Sequence, residues 1–144
     1  MPLINFGSIL NFAEEIEKQD LGFYQAAASN PACSALTSLF EQFAKDNTKN
    51  IQDAQRTCRE NVCEMILEGI EGFNRMPFVE KSDGGDTLDA AAVVATAKRL
   101  ENRAIRYYQE SSEKMKALPE VSRALRIMGK KRAAHMNKLG ALEI

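Results

Sequence analysis

Hydrophobic positions along this chain recur with helical rather than alternating spacing, and they fall into four runs. The first extends from about Ser8, a candidate N-cap, to Ala28 and stops ahead of Asn30-Pro31. A second and longer run covers roughly residues 32–69, with Leu36, Phe40, Phe43, Ile51, Ala54, Val62 and Met65 expected to point inward. Residues 70–86 lose the period, hold Pro77 and the pair Gly84-Gly85, and read as a long connection. The third run opens at Asp86-Thr87-Leu88-Asp89, a capping-box-like start with Asp in place of the preferred Glu, and continues to about Lys116. Pro119 is suited to open the fourth, which ends near Leu139 with Gly140 as its stop. Short joints make antiparallel neighbours, whereas a connection as long as 70–86 carries the chain along a bundle. The pattern therefore predicts an all-α fold: an antiparallel four-helix bundle in one domain, 1–144, with helices at about 8–28, 32–69, 87–116 and 119–139. A long crossover separates helices two and three.

Two phrases disturb the apolar stripes in the same way. Glu17 and Tyr24 are seven residues apart, as are Glu101 and Tyr108, and seven residues return nearly to the same side of a helix. Glu17 shares its stripe with Ala13 and Ala27, and Glu101 shares its own with Val94, Ala97 and Ala104. A carboxylate therefore faces the core twice. Such a charge is costly unless a metal, a cation or hydrogen-bond donors answer it.

The two halves also resemble each other. A shift of 84 superposes Ala13 on Ala97, Glu17 on Glu101, Leu21 on Ile105, Phe23 on Tyr107, Tyr24 on Tyr108 and Gln25 on Gln109. A shift of 85 superposes Leu36 on Val121, Phe40 on Leu125, Phe43 on Met128 and Ile51 on Met136. This is the signature of a duplicated helical hairpin, which would bring Glu17 and Glu101 face to face at mid-bundle.

Composition agrees with one helical domain: 144 residues, 44% hydrophobic, with only 4 Pro and 8 Gly. A net charge of −1 gives no reason to expect nucleic acid. The balance hides a split, because residues 1–97 hold 7 basic and 15 acidic side chains while residues 98–144 hold 12 and 5. Acidic and basic helices lying side by side would neutralise each other, and a polyanion-binding face on the last helix is the alternative. No apolar run approaches a membrane span and the opening residues lack the features of a signal peptide, so a cytoplasmic location is expected. Cys33, Cys58 and Cys63 form no Cys-x-x-Cys pair and read as buried thiols.

Over about residues 8–139 the chain resembles the rubrerythrin branch of the ferritin-like superfamily. The resemblance rests on the two Glu-x6-Tyr phrases, the order of loops, and Ala133-Ala134-His135-Met136 near the end of helix four. That superfamily builds its di-iron site from one Glu on each of two helices and a Glu-x-x-His on each of the other two. Glu17 and Glu101 match the single-Glu positions and His135 matches one histidine. Asn47 and Asn50 stand where the family has Glu and His, and Arg132 stands where it has Glu. Half of the ligand set is therefore replaced, and one replacement is a permanent cation.

Two readings follow from this resemblance. In the first, Glu17, Asn47, Asn50, Glu101, Arg132 and His135 form a polar network without a cofactor, Arg132 taking Glu17 or Glu101 bidentately and Tyr24 and Tyr108 donating from a turn away. The protein is then non-catalytic. In the second, Glu17, Glu101 and His135 hold iron, or manganese or zinc, helped by Asn50, Glu14 or Asp53, in an oxidoreductase of peroxide reduction or ferrous-iron oxidation. Electrons would then come from an external donor, since the chain lacks a four-cysteine iron site. A third class of function, a ligand in an interior cavity, has no named ligand. The resemblance further implies a homodimer. Phe73, Met76, Phe78 and Val79 in the crossover are expected to cover the bundle rather than a partner.

Overall fold

The computed structural model describes residues 6–61 and 73–142. It is all-α: α1 spans Phe6–Ala28, α2 Thr37–Glu60, α3 Ala90–Lys114 and α4 Pro119–Gly140. Short 3₁₀ turns occupy Pro31–Leu36 and Met76–Phe78. α1 packs along α2 and α3 along α4, and the two hairpins meet through α2 against α4 and α1 against α3. The result is a four-helix bundle.

The element boundaries differ from the expected ones for local reasons. α1 begins at Phe6, so Ser8 lies inside it rather than capping it. The expected second helix starts late because Cys33 breaks the helical backbone after Pro31, leaving a 3₁₀ turn capped by Asn30, whose side chain accepts from the Ala32 N–H at 2.9 Å. α2 ends at Glu60, with Asn61 at its cap. Val62, Cys63, Met65 and the rest of that run lie outside the described residues. At α3 the cap is Asp89, not Asp86: the Asp89 side chain accepts from the Ala92 N–H at 2.8 Å. Residues 84–88 form a turn instead, with Gly84 at φ 82° and its carbonyl accepting from the Thr87 and Leu88 N–H groups. That left-handed backbone suits glycine. α4 runs one residue further than expected, through Gly140 to an Ala141 cap with ordinary right-handed backbone.

The crossover is fastened to the bundle by side chains of the helices it passes. Asn30 donates to the carbonyls of Gly85 and Leu88 at 2.9 and 2.7 Å, and Gln19 donates to the carbonyl of Glu80 at 2.7 Å. Arg103 donates to the carbonyl of Phe78 at 3.2 Å. Of the apolar crossover residues, Phe73 and Phe78 are buried around the Tyr107 ring. Met76 and Val79 instead stand 66% and 55% exposed, so only half of that set covers the bundle. Among the described residues no helix is long and apolar enough to cross a membrane.

Among the described residues, the buried apolar side chains form two clusters. The first gathers Ile9, Ile16, Ala54, Ala104, Leu125 and Met128 among others. The second gathers Phe23, Phe40, Phe43, Val94, Leu100 and Leu139 among others. On every helix the same kind of residue separates them: Glu17 and Asp20 on α1, Asn47 and Asn50 on α2, Glu101 on α3, Arg132 and His135 on α4. A continuous polar layer therefore crosses the bundle at mid-height. The inward face of α2 is Phe40, Phe43, Asn47, Asn50, Ala54 and Thr57, while Ile51, expected inward, is only half-buried. Leu36 is likewise half-buried.

Candidate functional site: a guanidinium at the centre of the bundle

Arg132 is fully buried and its guanidinium spreads over three carboxylates on two other helices. Nε donates to Glu101 Oε1 at 2.5 Å, Nη1 donates to Glu17 Oε2 at 2.7 Å, and Nη2 donates to Asp20 Oδ2. The expected bidentate grip on one carboxylate is thus replaced by a three-way bridge. A planar fork with donors on all three nitrogens is the one side chain shaped for this.

The remaining donors arrive with the two-fold pattern of the duplicated hairpin. Tyr24 of α1 donates to Glu101 of α3, and Tyr108 of α3 donates to Glu17 of α1 at 2.5 Å. Each tyrosine therefore serves the carboxylate of the other half rather than the one two turns away on its own helix. Asn47 and Asn50 both donate to Glu17 Oε1, at 2.8 and 3.2 Å. On the other side His135 Nδ1 lies 3.2 Å from Glu101 Oε2, so α2 supports Glu17 and α4 supports Glu101. His135 Nε2 lies 2.7 Å from Asp46 Oδ2, and the ring stacks on Phe43 at 3.9 Å. Both contacts are hydrogen bonds at once when each ring nitrogen carries a proton.

Three participants carry no signal in the repeat. Asp20 is fully buried and links Arg132 to Arg103, whose Nη2 donates to Asp20 Oδ1 at 2.5 Å. The shift that pairs Glu17 with Glu101 pairs Asp20 with Ala104, so its role is invisible to the duplication. The usable cue is Glu17-x-x-Asp20, two acids on one helix face. Arg103 is itself buried and ties the layer to the crossover. Asp46, whose side chain is 30% exposed, is where the layer reaches the surface.

Burial and charge act against each other at these groups. Burial pushes the Asp20 carboxyl up to about 6 in spite of Arg132 and Arg103. Burial also pushes Glu101 upward, but Arg132, His135 and Tyr24 together hold it below the usual carboxylate range. Tyr24 and Tyr108 are driven well above the ordinary phenol value by burial and by the carboxylate each one faces. Burial alone would lower Arg132, yet Glu101, Glu17 and Asp20 raise it well above its usual value, so it stays charged.

These residues do not fit a di-iron centre. All six oxygens of Glu17, Asp20 and Glu101 already accept a hydrogen bond from a protein donor. A metal at this level would displace those donors and sit beside a permanent cation, with amide oxygens in place of carboxylate and imidazole on α2. Among the described residues no group of three or more His, Cys, Asp or Glu side chains is arranged to hold a metal ion. Glu14 and Asp53, considered as helpers for a metal, are instead engaged with Lys18 and with Arg56 and Lys131.

Comparison with known proteins agrees with the fold at the level of the domain. No curated protein and no solved structure matches the chain. The family model for the ferritin-like domain matches residues 7–141, which is nearly the whole of it, and the chain belongs to that family.

Proposed function

We propose that this is a ferritin-like bundle in which a built-in guanidinium replaces the metal pair, so that the polar layer is structural and the protein acts without redox catalysis. The observation that carries this reading is the Arg132 bridge to Glu17, Asp20 and Glu101. Four carboxylates can balance the roughly four positive charges of a di-iron pair. Here three carboxylates face Arg132 and Arg103, and His135 sits between Glu101 and Asp46. The two guanidinium groups offset part of the carboxylate charge, and Tyr24, Tyr108, Asn47 and Asn50 supply neutral donors to the remaining lone pairs. A layer of this kind has its best-attested use in fixing register between helices, at the expense of stability that apolar packing would give. Here it pins each half of the duplication to the other through the exchanged tyrosines.

A second reading keeps a metal on Glu17, Glu101 and His135 and assigns a rubrerythrin-like peroxide reduction or ferrous-iron oxidation with an external electron donor. It draws support from Asn47 Oδ1 and Asn50 Oδ1, buried oxygens without a hydrogen-bond partner. Metal content separates the two readings. Protein purified from iron-rich and from manganese-rich growth should carry less than about a tenth of an equivalent of iron, manganese or zinc, as expected when a site's ligands are already satisfied. Near-stoichiometric metal that disappears in Glu17→Ala would establish the second reading and remove the first.

A further inference from the structure

The outer face of α4 holds cations that no acid among the described residues answers. Arg123, Arg126, Lys130 and Lys138 are exposed, and none of them makes an ion pair among the described residues. Among the described residues, the lysines and exposed arginines of α4 meet an acid of α2 only at Lys131 to Asp53, 3.7 Å apart. Two of these cations line a groove of about 370 Å³ between α3 and α4: Lys130, and Arg126, whose Nη1 also donates to Ser122 Oγ at 2.7 Å. The acid on the opposite rim, Glu113, is already paired with Lys116 at 2.7 Å.

The floor of this groove is apolar and preformed. It is made by Ile105, Tyr108, Gly129 and Ala133. The helices approach closely there, since a Cβ on Gly129 would stand 3.0 Å from the Tyr108 Cβ. Tyr108 cannot turn away, because its hydroxyl is held by Glu17 in the buried layer. A groove of a few hundred Å³ with an apolar floor and a few convergent polar groups is the usual form of a small-ligand site. Rigid walls reduce what binding must order.

We infer that the α3–α4 groove binds a small amphiphilic anion, with an apolar body over Tyr108 and Ala133 and a carboxylate head on Arg126 and Lys130. The inference does not rest on the metal-free reading of the interior. The head group takes charge-assisted hydrogen bonds from two cations that have no acidic partner among the described residues, and the body covers apolar surface that α3 and α4 leave open.

Calorimetric titration of the full chain with monomeric dodecanoate tests it. Saturable one-to-one binding is expected, at least about tenfold weaker in Lys130→Glu and abolished in Ala133→Phe, which fills the floor. Arg123→Glu, on the same helix outside the groove, should leave the affinity unchanged. Dodecylammonium and inorganic phosphate should each bind at least about tenfold more weakly than dodecanoate, since each lacks half of the recognised chemistry. Absence of saturable dodecanoate binding overturns the proposal. So does binding that Arg123→Glu weakens as much as Lys130→Glu, which would mark a diffuse polyanion face. Capture by anionic vesicles without binding of the monomer would assign the cations to a membrane surface and overturn it as well.

Discussion

Replacing Arg132 by Met keeps the length and apolar stem of the side chain and removes only the guanidinium. Glu17, Asp20 and Glu101 then remain buried, and of the three only Asp20 still pairs with a guanidinium, that of Arg103. Breaking a buried ion pair from one side costs about 3–5 kcal/mol, because the partner charge is left uncompensated. A chain of 144 residues has an unfolding entropy near 0.3 kcal/mol/K, so the loss corresponds to a fall in melting temperature of roughly 10–17 °C. Urea unfolding followed by circular dichroism at pH 7 measures it. The gain in stability on acidification should also steepen. With the guanidinium gone, the buried carboxylates favour protonation, so the variant should gain stability from pH 7 to pH 5 relative to the native chain. Adding Glu101→Gln removes one stranded charge, and the double variant should be more stable than the sum of the two single losses by at least about 1 kcal/mol. A loss below about 1 kcal/mol with additive effects would refute the reasoning, since it would mean that Arg132 carries no charge balance.

Titration of the native protein should show two acid regimes and a late alkaline one. Asp20, raised to about 6 from the ordinary 3.8, takes up its proton in the folded state first, so its contribution to stability increases as pH falls from 6 toward 4. Glu101, held below the ordinary 4.5, contributes stability above that value that is lost as pH falls through its depressed one. The melting temperature should hold or rise slightly between pH 6 and about 4.5 and fall only below that, and a steady decline starting at pH 6 would contradict the assignment. All three tyrosines are buried and raised, so no tyrosinate absorbance should appear at pH 11 before the chain unfolds; one phenol titrating near 10 would place it in solvent. Arg103→Ala removes the hold on the Phe78 carbonyl and on Asp20, and should make the segment around residues 74–82 the first site of limited proteolysis, whereas an unchanged cleavage pattern would show that Gln19 and Asn30 suffice.

The bundle and the identity of its central residues were legible because both are periodic. Glu17 and Tyr24 repeat at Glu101 and Tyr108, and a carboxylate on an apolar stripe twice over announces a buried polar layer. What each side chain touches was not legible, because that depends on which helices face each other across the layer. Tyr24 and Glu17 share a stripe, yet Tyr24 reaches Glu101. Arg132 follows Lys130 and Lys131 and has the local look of a solvated face, although it is the most enclosed cation in the molecule. Asp20 and Arg103 were hidden for a related reason: each departs from the duplication, so the comparison of halves that exposed Glu17 and Glu101 passed over them. The start of α3 was misplaced because Asp86 and Asp89 are both competent caps, and the choice was made by the glycine turn at Gly84.

Anomalous diffraction at the iron edge, from crystals grown and soaked in ferrous iron, distinguishes a guanidinium from a metal at the centre of the bundle. Density should run continuously from Arg132 to Glu17, Asp20 and Glu101, with no anomalous peak within bonding distance of those carboxylates. A pair of iron peaks between Glu17 and Glu101, with Arg132 turned out toward solvent, would contradict it.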